Sequence, residues 1–256
     1  MAVMQETMSS GMAAAPSRRS TTSSPKRIAR IAGLLYLIVG VFGGFAVGYV
    51  SPLLYVPGDA AATAGRVVAN ADLARIGVLA DLLQATVFVF LALTLYLLLS
   101  RVHRNAATAM VVLVAIAATI MCLDKVFQFA ALRVATDPSY AATFGVAGSN
   151  ALVLLLLDIH NYGFLIAQIF FGLWLVPLGY LVYKSGMFPR ALAAVLIVAG
   201  ASYVVDMLVA FVSPELSRSI HMFFAIPPAV AEIWMLGYLL VFGVRSTAQT
   251  ERAGTS

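Results

Sequence analysis

Long runs of hydrophobic residues dominate this chain, and each run is long enough to cross a lipid bilayer as an α-helix. A spanning helix needs about 20 predominantly apolar residues. Short polar segments separate six such runs, at residues 31–50, 76–99, 107–132, 151–183, 191–212 and 222–244. The sequence therefore predicts an all-α, polytopic integral membrane protein whose six transmembrane helices form one bundle.

The two ends of the chain differ from the rest because they are rich in small and polar residues. We predict disordered tails at residues 1–26 and 246–256, with a six-helix transmembrane domain at 27–245 between them. The first apolar run follows a basic cluster, as a signal peptide does. It is too long for a signal core and more spans follow, so we predict an uncleaved first helix.

Lysine and arginine are distributed unequally between the two sides of the predicted bundle. Eleven of them lie in the tails and loops on the side that holds both termini, and four lie on the opposite side. Loops rich in lysine and arginine stay in the cytoplasm. Both termini are therefore predicted to be cytoplasmic, which agrees with an even number of spans.

Composition narrows the function classes. The chain is 62% hydrophobic and 11% charged, whereas soluble domains contain about 25% charged residues. The net charge of +5 does not indicate nucleic-acid binding, because the basic residues flank the spans. A single cysteine, Cys122, excludes an intramolecular disulfide and a multi-cysteine metal site.

An acidic residue lies within each of five hydrophobic runs. A carboxylate in a spanning helix is costly, so it usually faces the protein interior or a watery cavity and marks a functional site. The predicted orientation places all but one of them, Glu232, in the outer half or at the outer rim. We predict that they share one polar chamber open to the outside: Asp81, Asp124, Asp158, Asp206 and Glu232.

Polar companions accompany these acids at spacings of three or four residues, or directly beside them. Residues three or four apart share one helix face. The companions predicted for the chamber are Gln84, Lys125, Gln128 and Asn161.

Arg133, eight residues after Lys125, extends a basic stripe beside the acids. Five acids against two cations imply that some are protonated or that a cation binds. The alternative is that the acids pair with Lys125, Arg133, Arg75 and the amides and only join the helices.

Two further patterns concern the shape of single helices. Gly40, Gly44 and Gly48 form a stripe that lets another helix approach closely, which predicts packing within the bundle in preference to a homodimer. Pro227 and Pro228 precede Glu232 by one turn. Either they only kink the helix, or they free carbonyl oxygens beside the acid, as in transporter ion sites.

Several enzyme motifs are missing from the sequence. It contains no H-E-x-x-H zinc helix and no G-x-S-x-G elbow, and its three histidines are scattered. We therefore expect no metal and no cofactor, and we assign no catalytic residue. An enzyme that uses only carboxylates for acid–base chemistry on a lipid or isoprenoid stays open.

Five segments together resemble a known membrane family. The most specific is the turn Lys-Ser-x-x-x-Pro-Arg between Lys184 and Arg190, and the others are 29–36, 171–180, 199–203 and 228–236. They are similar to the bacterial domain-of-unknown-function 4386 family over residues 27–245. The resemblance implies a bacterial inner-membrane protein, places Arg30, Lys184, Arg190 and Glu232 in recurring patterns, and transfers no catalytic residue. Lys184 and Arg190 are expected at the lipid headgroups, where they enforce topology or bind anionic lipid.

The leading hypothesis from the sequence is a non-enzymatic membrane protein whose acidic chamber binds a proton, a cation or a small amphipathic ligand. The first alternative is the carboxylate enzyme on a lipid or isoprenoid. The second is a structural or accessory subunit. The expected partners are the lipid bilayer, a small ligand or cation, and a second copy or another membrane protein, but no nucleic acid.

Overall fold

The structure, a computed structural model, describes residues 24–245, and most of these residues are helical. No strand occurs within this range. The predicted tails fall almost wholly outside the described residues. The predicted N-terminal tail overlaps the described residues at positions 24–26. The first helix begins there, at Pro25, so the tail ends earlier than predicted. Proline is favoured at the first helical position, where its missing N–H is not needed.

Eight helices follow one another along the described chain. Their bounds are α1 Pro25–Gly43, α2 Ser51–Leu54, α3 Ala60–Ala69, α4 Ala71–Leu99, α5 Arg104–Thr136, α6 Pro138–Ser185, α7 Arg190–Val212 and α8 Pro214–Val241. A π-helical segment, Gly44–Val50, joins α1 to α2 without a break. The six candidate spans are this continuous first unit, Pro25–Leu54, and helices α4 to α8. The predicted six-span, all-α fold is confirmed.

The short helix α3 between the first two spans was not predicted. Its start follows a known signal, because the Asp59 carboxylate accepts a hydrogen bond of 2.9 Å from the backbone N–H of Ala62. An aspartate at this position satisfies one of the free amides of a helix start. The same chemistry begins α6, where Asp137 accepts from the N–H of Ser139 before Pro138 opens the helix.

The bounds of helix α6 extend well beyond the predicted fourth span, and they include a break in the helix at Gly145. Gly145 has φ 72° and ψ 161°, a conformation that only glycine adopts readily, so residues 138–144 form a separate first piece. The helix ends at Gly186, whose φ of 63° is the left-handed conformation of a helix C-terminus. Residues 146–185 then measure about 60 Å at 1.5 Å per residue, which exceeds the bilayer core of about 30 Å.

The six spans form a closed ring. Each span packs against its neighbours in the sequence, and α8 returns to pack against α1. An even number of crossings leaves both chain ends on one side. We call that side the terminal end and the opposite side the distal end. That the terminal end is cytoplasmic stays a prediction from the distribution of basic residues.

Apolar and polar residues occupy different levels of the ring. Toward the terminal end the interior is packed with side chains that have no exposed surface, among them Leu95, Leu99, Met110, Leu178 and Leu192. The buried polar side chains of the spans lie nearer the distal end: Asp81, Asp124, Lys125, Gln128, Ser149, His160, Gln168, Ser202 and Asp206. The terminal half is therefore a dry core, and the chemistry lies above it.

The predicted packing role of Gly40, Gly44 and Gly48 is wrong for contacts within residues 24–245. A Cβ atom added at any of the three would meet no atom of these residues within 4 Å. Glycines allow a close helix contact instead between Gly172 of α6 and Gly200 of α7, where a Cβ on Gly172 would lie 2.5 Å from the Gly200 carbonyl oxygen. Spacing identifies a small-residue stripe but not the direction in which it faces.

Candidate functional site

A buried ion group joins α4 to α5. The Lys125 ammonium lies 2.6 Å from the Asp81 carboxylate and 3.7 Å from the Asp124 carboxylate, and all three side chains are at most 5% exposed. Lysine and aspartate in a membrane interior are tolerated when they pair with one another. The group holds one lysine against two acids, whereas the sequence predicted five acids around two cations.

His160 of α6 completes this group. Its Nδ1 atom lies 2.9 Å from an oxygen of Asp124, and Gly163 lets the two helices approach, because a Cβ there would lie 2.8 Å from the other oxygen. Neither Asp124 oxygen has a well-aligned hydrogen bond among the described residues. Asp124 therefore has Lys125 and His160 as its close polar neighbours.

The predicted basic stripe of Lys125 and Arg133 is wrong. Arg133 is largely exposed and lies 3.6 Å from Asp137 beyond the end of its own helix. Arg75 likewise pairs with the exposed Asp72, at 2.6 Å. Eight residues of helix separate Lys125 from Arg133 by about 12 Å, so only the lysine remains at the depth of the buried acids.

A second group surrounds a cavity of about 400 Å³ near the distal end. Asp158 accepts a hydrogen bond from the hydroxyl of Tyr55, and the His221 Nδ1 atom lies 2.8 Å from the Asp206 carboxylate. Asn161 and Gln168 complete the polar lining of the cavity. Asp158 and His160 have different partners because residues two apart on a helix point to different sides.

Tyr55 lies just beyond the end of the first span, and its contact with Asp158 gives a prediction. Burial and the hydrogen bond to Asp158 raise the pKa of Tyr55 to about 12. Tyr55→Phe removes the donor and should lower the free energy of unfolding by about 1–2 kcal/mol. Because the folded-state pKa is raised above its unfolded value of about 10, this stabilisation is complete below pH ~10 and is lost as the pH rises through about 12.

Thermal unfolding in detergent between pH 6 and 9 measures this difference, which should stay constant over that range. Tyr49→Phe is the matched control, because Tyr49 is 57% exposed and has no hydrogen-bond partner among the described residues. An equal loss in both variants would show that the Tyr55 hydroxyl does not stabilise the fold.

The third group lines a cavity of about 230 Å³ inside the ring, which we call the central cavity. Six of its thirteen lining residues are aromatic: Tyr36, Phe88, Phe164, Phe171, Trp174 and Tyr203. Phe88 and Trp174 pack edge to face with ring centroids 5.1 Å apart. Edge-to-face pairing is a favoured arrangement of aromatic rings, and it leaves both faces and edges of rings in the lining.

Two polar side chains interrupt this aromatic wall. Glu232 of α8 accepts a hydrogen bond of 3.0 Å from the hydroxyl of Tyr203. Gln84 of α4 enters opposite Gly43, where a Cβ atom would lie only 2.6 Å from its amide nitrogen. The Tyr36 hydroxyl and the Gln84 side-chain oxygen have no hydrogen-bond partner among the described residues. Buried polar atoms are normally satisfied, so these two are available to a ligand.

The central cavity opens through the face of the first span. Gly40, Gly44 and Val47 line the cavity and are exposed on the outside of the ring. Gly44 and Val47 belong to the π-helical segment, a feature frequently found at functional sites. Two glycines of the stripe predicted to pack helices, Gly40 and Gly44, therefore border an opening, which larger side chains would narrow.

The five acids thus belong to three groups and not to one shared chamber. Asp81 and Asp124 share Lys125. Asp158 lines the distal cavity, and Asp206 contacts His221 of its lining. Glu232 lines the central cavity. Gln128 is buried near the ion group, but its side-chain oxygen has no partner among the described residues. Helical spacing found acids and amides on the same helix, but it did not show which helices face each other.

Sequence reasoning missed the tyrosines and His221 as partners of the acids, and it missed the aromatic wall. A signal for the wall was present, because Phe164, Phe171 and Trp174 recur at intervals of seven and three and so share a face of α6. No group of three histidine, cysteine or acidic residues suited to a metal ion occurs between residues 24 and 245.

The two residues expected at the lipid headgroups lie outside all three groups. Lys184 and Arg190 are exposed on either side of the turn between α6 and α7. The Arg190 guanidinium lies 5.9 Å from the centroid of the Tyr183 ring, within the range of a cation–π contact.

Comparisons with known proteins place this architecture in a family. The family described as "Domain of unknown function (DUF4386)" matches residues 31–243, which include all or most of every span. A protein of Archaeoglobus fulgidus described as "Uncharacterized protein" is 39% identical over 59 residues, 23% of this chain and 36% of that protein. The chain therefore aligns with about a third of that relative's length. No solved structure gives a significant match. This chain belongs to the DUF4386 family.

Proposed function

We propose that this protein binds a small amphipathic ligand with a positively charged amine head group in the central cavity. The observation that carries the proposal is the combination of six aromatic side chains with a single carboxylate, Glu232, in the lining of one cavity. Cations are attracted to the faces of aromatic rings, and arrays of such rings recognise quaternary ammonium groups.

The charge of the lining supports a cation over an anion. Among the described residues no lysine, arginine or histidine lines this cavity, so the negative charge of an ionised Glu232 has no counterion there. A bound ammonium group would supply that counterion. The free Tyr36 hydroxyl and Gln84 oxygen would accept hydrogen bonds from a primary or secondary amine.

The size and depth of the cavity favour a small ligand that partitions into lipid. A volume of about 230 Å³ is below that of typical drug-sized pockets, which begin near 300 Å³. Glu232 lies nine residues from the end of α8 at Val241, about 14 Å from the terminal end. The cavity is therefore near the middle of a bilayer of about 30 Å, and its opening beside Gly40 faces lipid.

Binding at this depth would serve sensing or transport in the cytoplasmic membrane of a bacterium. Carriers are often built from internal repeats, with the substrate site at mid-membrane between them. The sequence shows no such repeat, so we favour a receptor or sensor over an independent carrier.

The test uses the fluorescence of Trp174 as a reporter inside the cavity. Trp174 and Trp234 are the two tryptophans of the chain, so Trp234→Phe leaves Trp174 as the single emitter. Titration with dodecyltrimethylammonium in nanodiscs should give a saturable change in emission. Glu232→Gln in the same background should weaken the affinity at least tenfold, because it removes the carboxylate.

Glu215→Gln is the matched control, because Glu215 is an exposed acid on the same helix and should bind the cation as the parent does. Dodecyl sulfate and dodecyl maltoside, with the same chain and other head groups, should give no saturable change. Equal responses to all three amphiphiles, or equal affinity in Glu232→Gln, would refute the proposed cation site.

A further inference from the structure

The terminal end of the ring contains a separate cavity of about 560 Å³ that is far from the acids. Four parts of the chain meet there: the start of α1, the turn between α4 and α5, the turn between α6 and α7, and the segment after α8. These parts are distant in sequence, so the cavity is a product of ring closure. We call it the terminal cavity.

Three basic side chains from three different parts line the terminal cavity. They are Lys26 of α1, Arg101 of the α4–α5 turn and Arg245 of the segment after α8. Among residues 24–245, no acidic side chain is part of its lining. All acidic residues between positions 24 and 245 lie within the spans or at the distal end. The site therefore has a high positive charge with no internal counterion in the described part of the chain.

Apolar side chains lie beside these cations. Leu98, Val102, Met187 and Val244 line the same cavity. A free anion needs no such surface, whereas a lipid presents its phosphate next to its glycerol and acyl chains. The terminal cavity is also at the ends of the spans, which is the level of the headgroups in a bilayer.

Backbone contacts fix the geometry of this site. The N–H of Arg245 donates to the carbonyl oxygen of Met187 over 3.1 Å, and the Tyr238 hydroxyl donates to the same oxygen over 3.3 Å. Gly243 has φ 69° and packs against the backbone of Lys26, where a Cβ atom would lie 3.5 Å from the carbonyl oxygen. The segment that carries Arg245 is therefore held between α1 and the α6–α7 turn.

We propose that the terminal cavity binds the phosphate group of an anionic membrane lipid. Two guanidinium groups and one ammonium group suit phosphate, because arginine forms paired, charge-assisted hydrogen bonds with its oxygens. The apolar side chains contact the lipid beyond its phosphate. This site differs from the one expected at Lys184 and Arg190, because neither of those residues lines the cavity. It is independent of ligand binding in the central cavity.

The test compares two double variants of the full chain that lose the same charge at the same membrane surface. Arg101→Gln with Arg245→Gln removes two cations of the cavity, and Lys184→Gln with Arg190→Gln removes two outside it. Each purified protein is titrated with short-chain phosphatidylglycerol or phosphatidylcholine, and bound lipid is counted by native mass spectrometry. Wild type and the Lys184/Arg190 variant should retain one phosphatidylglycerol, with at least tenfold weaker binding in the Arg101/Arg245 variant.

Three outcomes would overturn the proposal. Equal losses in the two double variants would indicate general attraction of anionic lipid to basic loops. Equal retention of phosphatidylcholine would show that the lipid charge is not recognised. Displacement of the lipid by millimolar inorganic phosphate would indicate a site for soluble phosphate. Lipid-free thermal unfolding of both variants checks that each is folded, so that a lost signal reports binding.

Discussion

Lys125→Met will lower the free energy of unfolding by about 3–5 kcal/mol, the largest effect that we expect from a single substitution. Lys125 lies 2.6 Å from Asp81 and 3.7 Å from Asp124, and all three side chains are buried. Removing one partner of a buried ion pair leaves an uncompensated charge, which is far more destabilising than removing the whole pair. Methionine keeps the length of the side chain, so loss of packing contributes little.

The same argument predicts a rescue. The triple variant Asp81→Asn/Lys125→Met/Asp124→Asn removes the lysine and both carboxylates beside it. Most of the stability that Lys125→Met alone loses should therefore return. His160, 2.9 Å from Asp124, keeps a polar neighbour in the asparagine. Replacing a buried ion group by neutral residues of similar volume is often neutral or stabilising. That result would support, for this group, the alternative reading of the sequence in which the acids only join the helices.

Reversible unfolding of the purified protein in mixed micelles measures both effects. Lys184→Met is the matched control, because Lys184 is exposed at the end of α6 and has no ion-pair partner among the described residues. We expect Lys184→Met to lower the free energy of unfolding by less than about 1 kcal/mol, which is the range for exposed ion pairs. If Lys125→Met and Lys184→Met are equally stable, the buried group does not depend on the lysine charge.

Gly172→Ala will be the second most harmful substitution and should cost about 1–3 kcal/mol. Its new Cβ atom would lie 2.5 Å from the carbonyl oxygen of Gly200 and 2.9 Å from a methyl group of Val204. A backbone oxygen cannot move aside as the end of a flexible side chain does, so α6 and α7 must separate. Inserting a methyl group into a well-packed interface typically costs 1–3 kcal/mol.

Gly40→Ala is the matched control, because an added Cβ there meets no atom within 4 Å. Alanine favours a helix over glycine by up to about 1 kcal/mol, so the variant should be as stable as wild type or slightly more stable. Unfolding of both variants under the same conditions gives the comparison. Equal destabilisation would contradict the helix contacts described for α1, α6 and α7.

Gly40→Leu extends this control to the question of partners. A leucine at the opening of the central cavity should obstruct the amphipathic cation without unfolding the protein. If the exposed stripe of Gly40, Gly44 and Gly48 instead contacts a second copy or an accessory membrane protein, the variant will lose that partner on gentle purification. Size-exclusion chromatography with light scattering distinguishes the two results.

The sequence by itself determined the membrane fold and the number of spans. Six apolar runs were enough, because a bilayer forces any crossing segment to satisfy its backbone hydrogen bonds internally as a helix. The sequence also identified Asp81, Asp124 and Lys125 as unusual, since a charged residue within an apolar run is visible without knowing its neighbours. Most helix ends could be located within a few residues by the same reasoning.

Tertiary structure alone decided which helices face each other, and this changed the candidate site. A helical pattern gives the face of one helix but neither its rotation nor its partner in the ring. The glycine stripe of the first span therefore borders an opening where packing was predicted, and Arg133 reaches the distal surface away from Lys125. Glu232 meets Tyr203 and an aromatic wall contributed by four other spans only because α8 closes the ring against α1. Contacts between residues far apart in sequence depend on how the whole ring packs, and no local pattern encodes that arrangement.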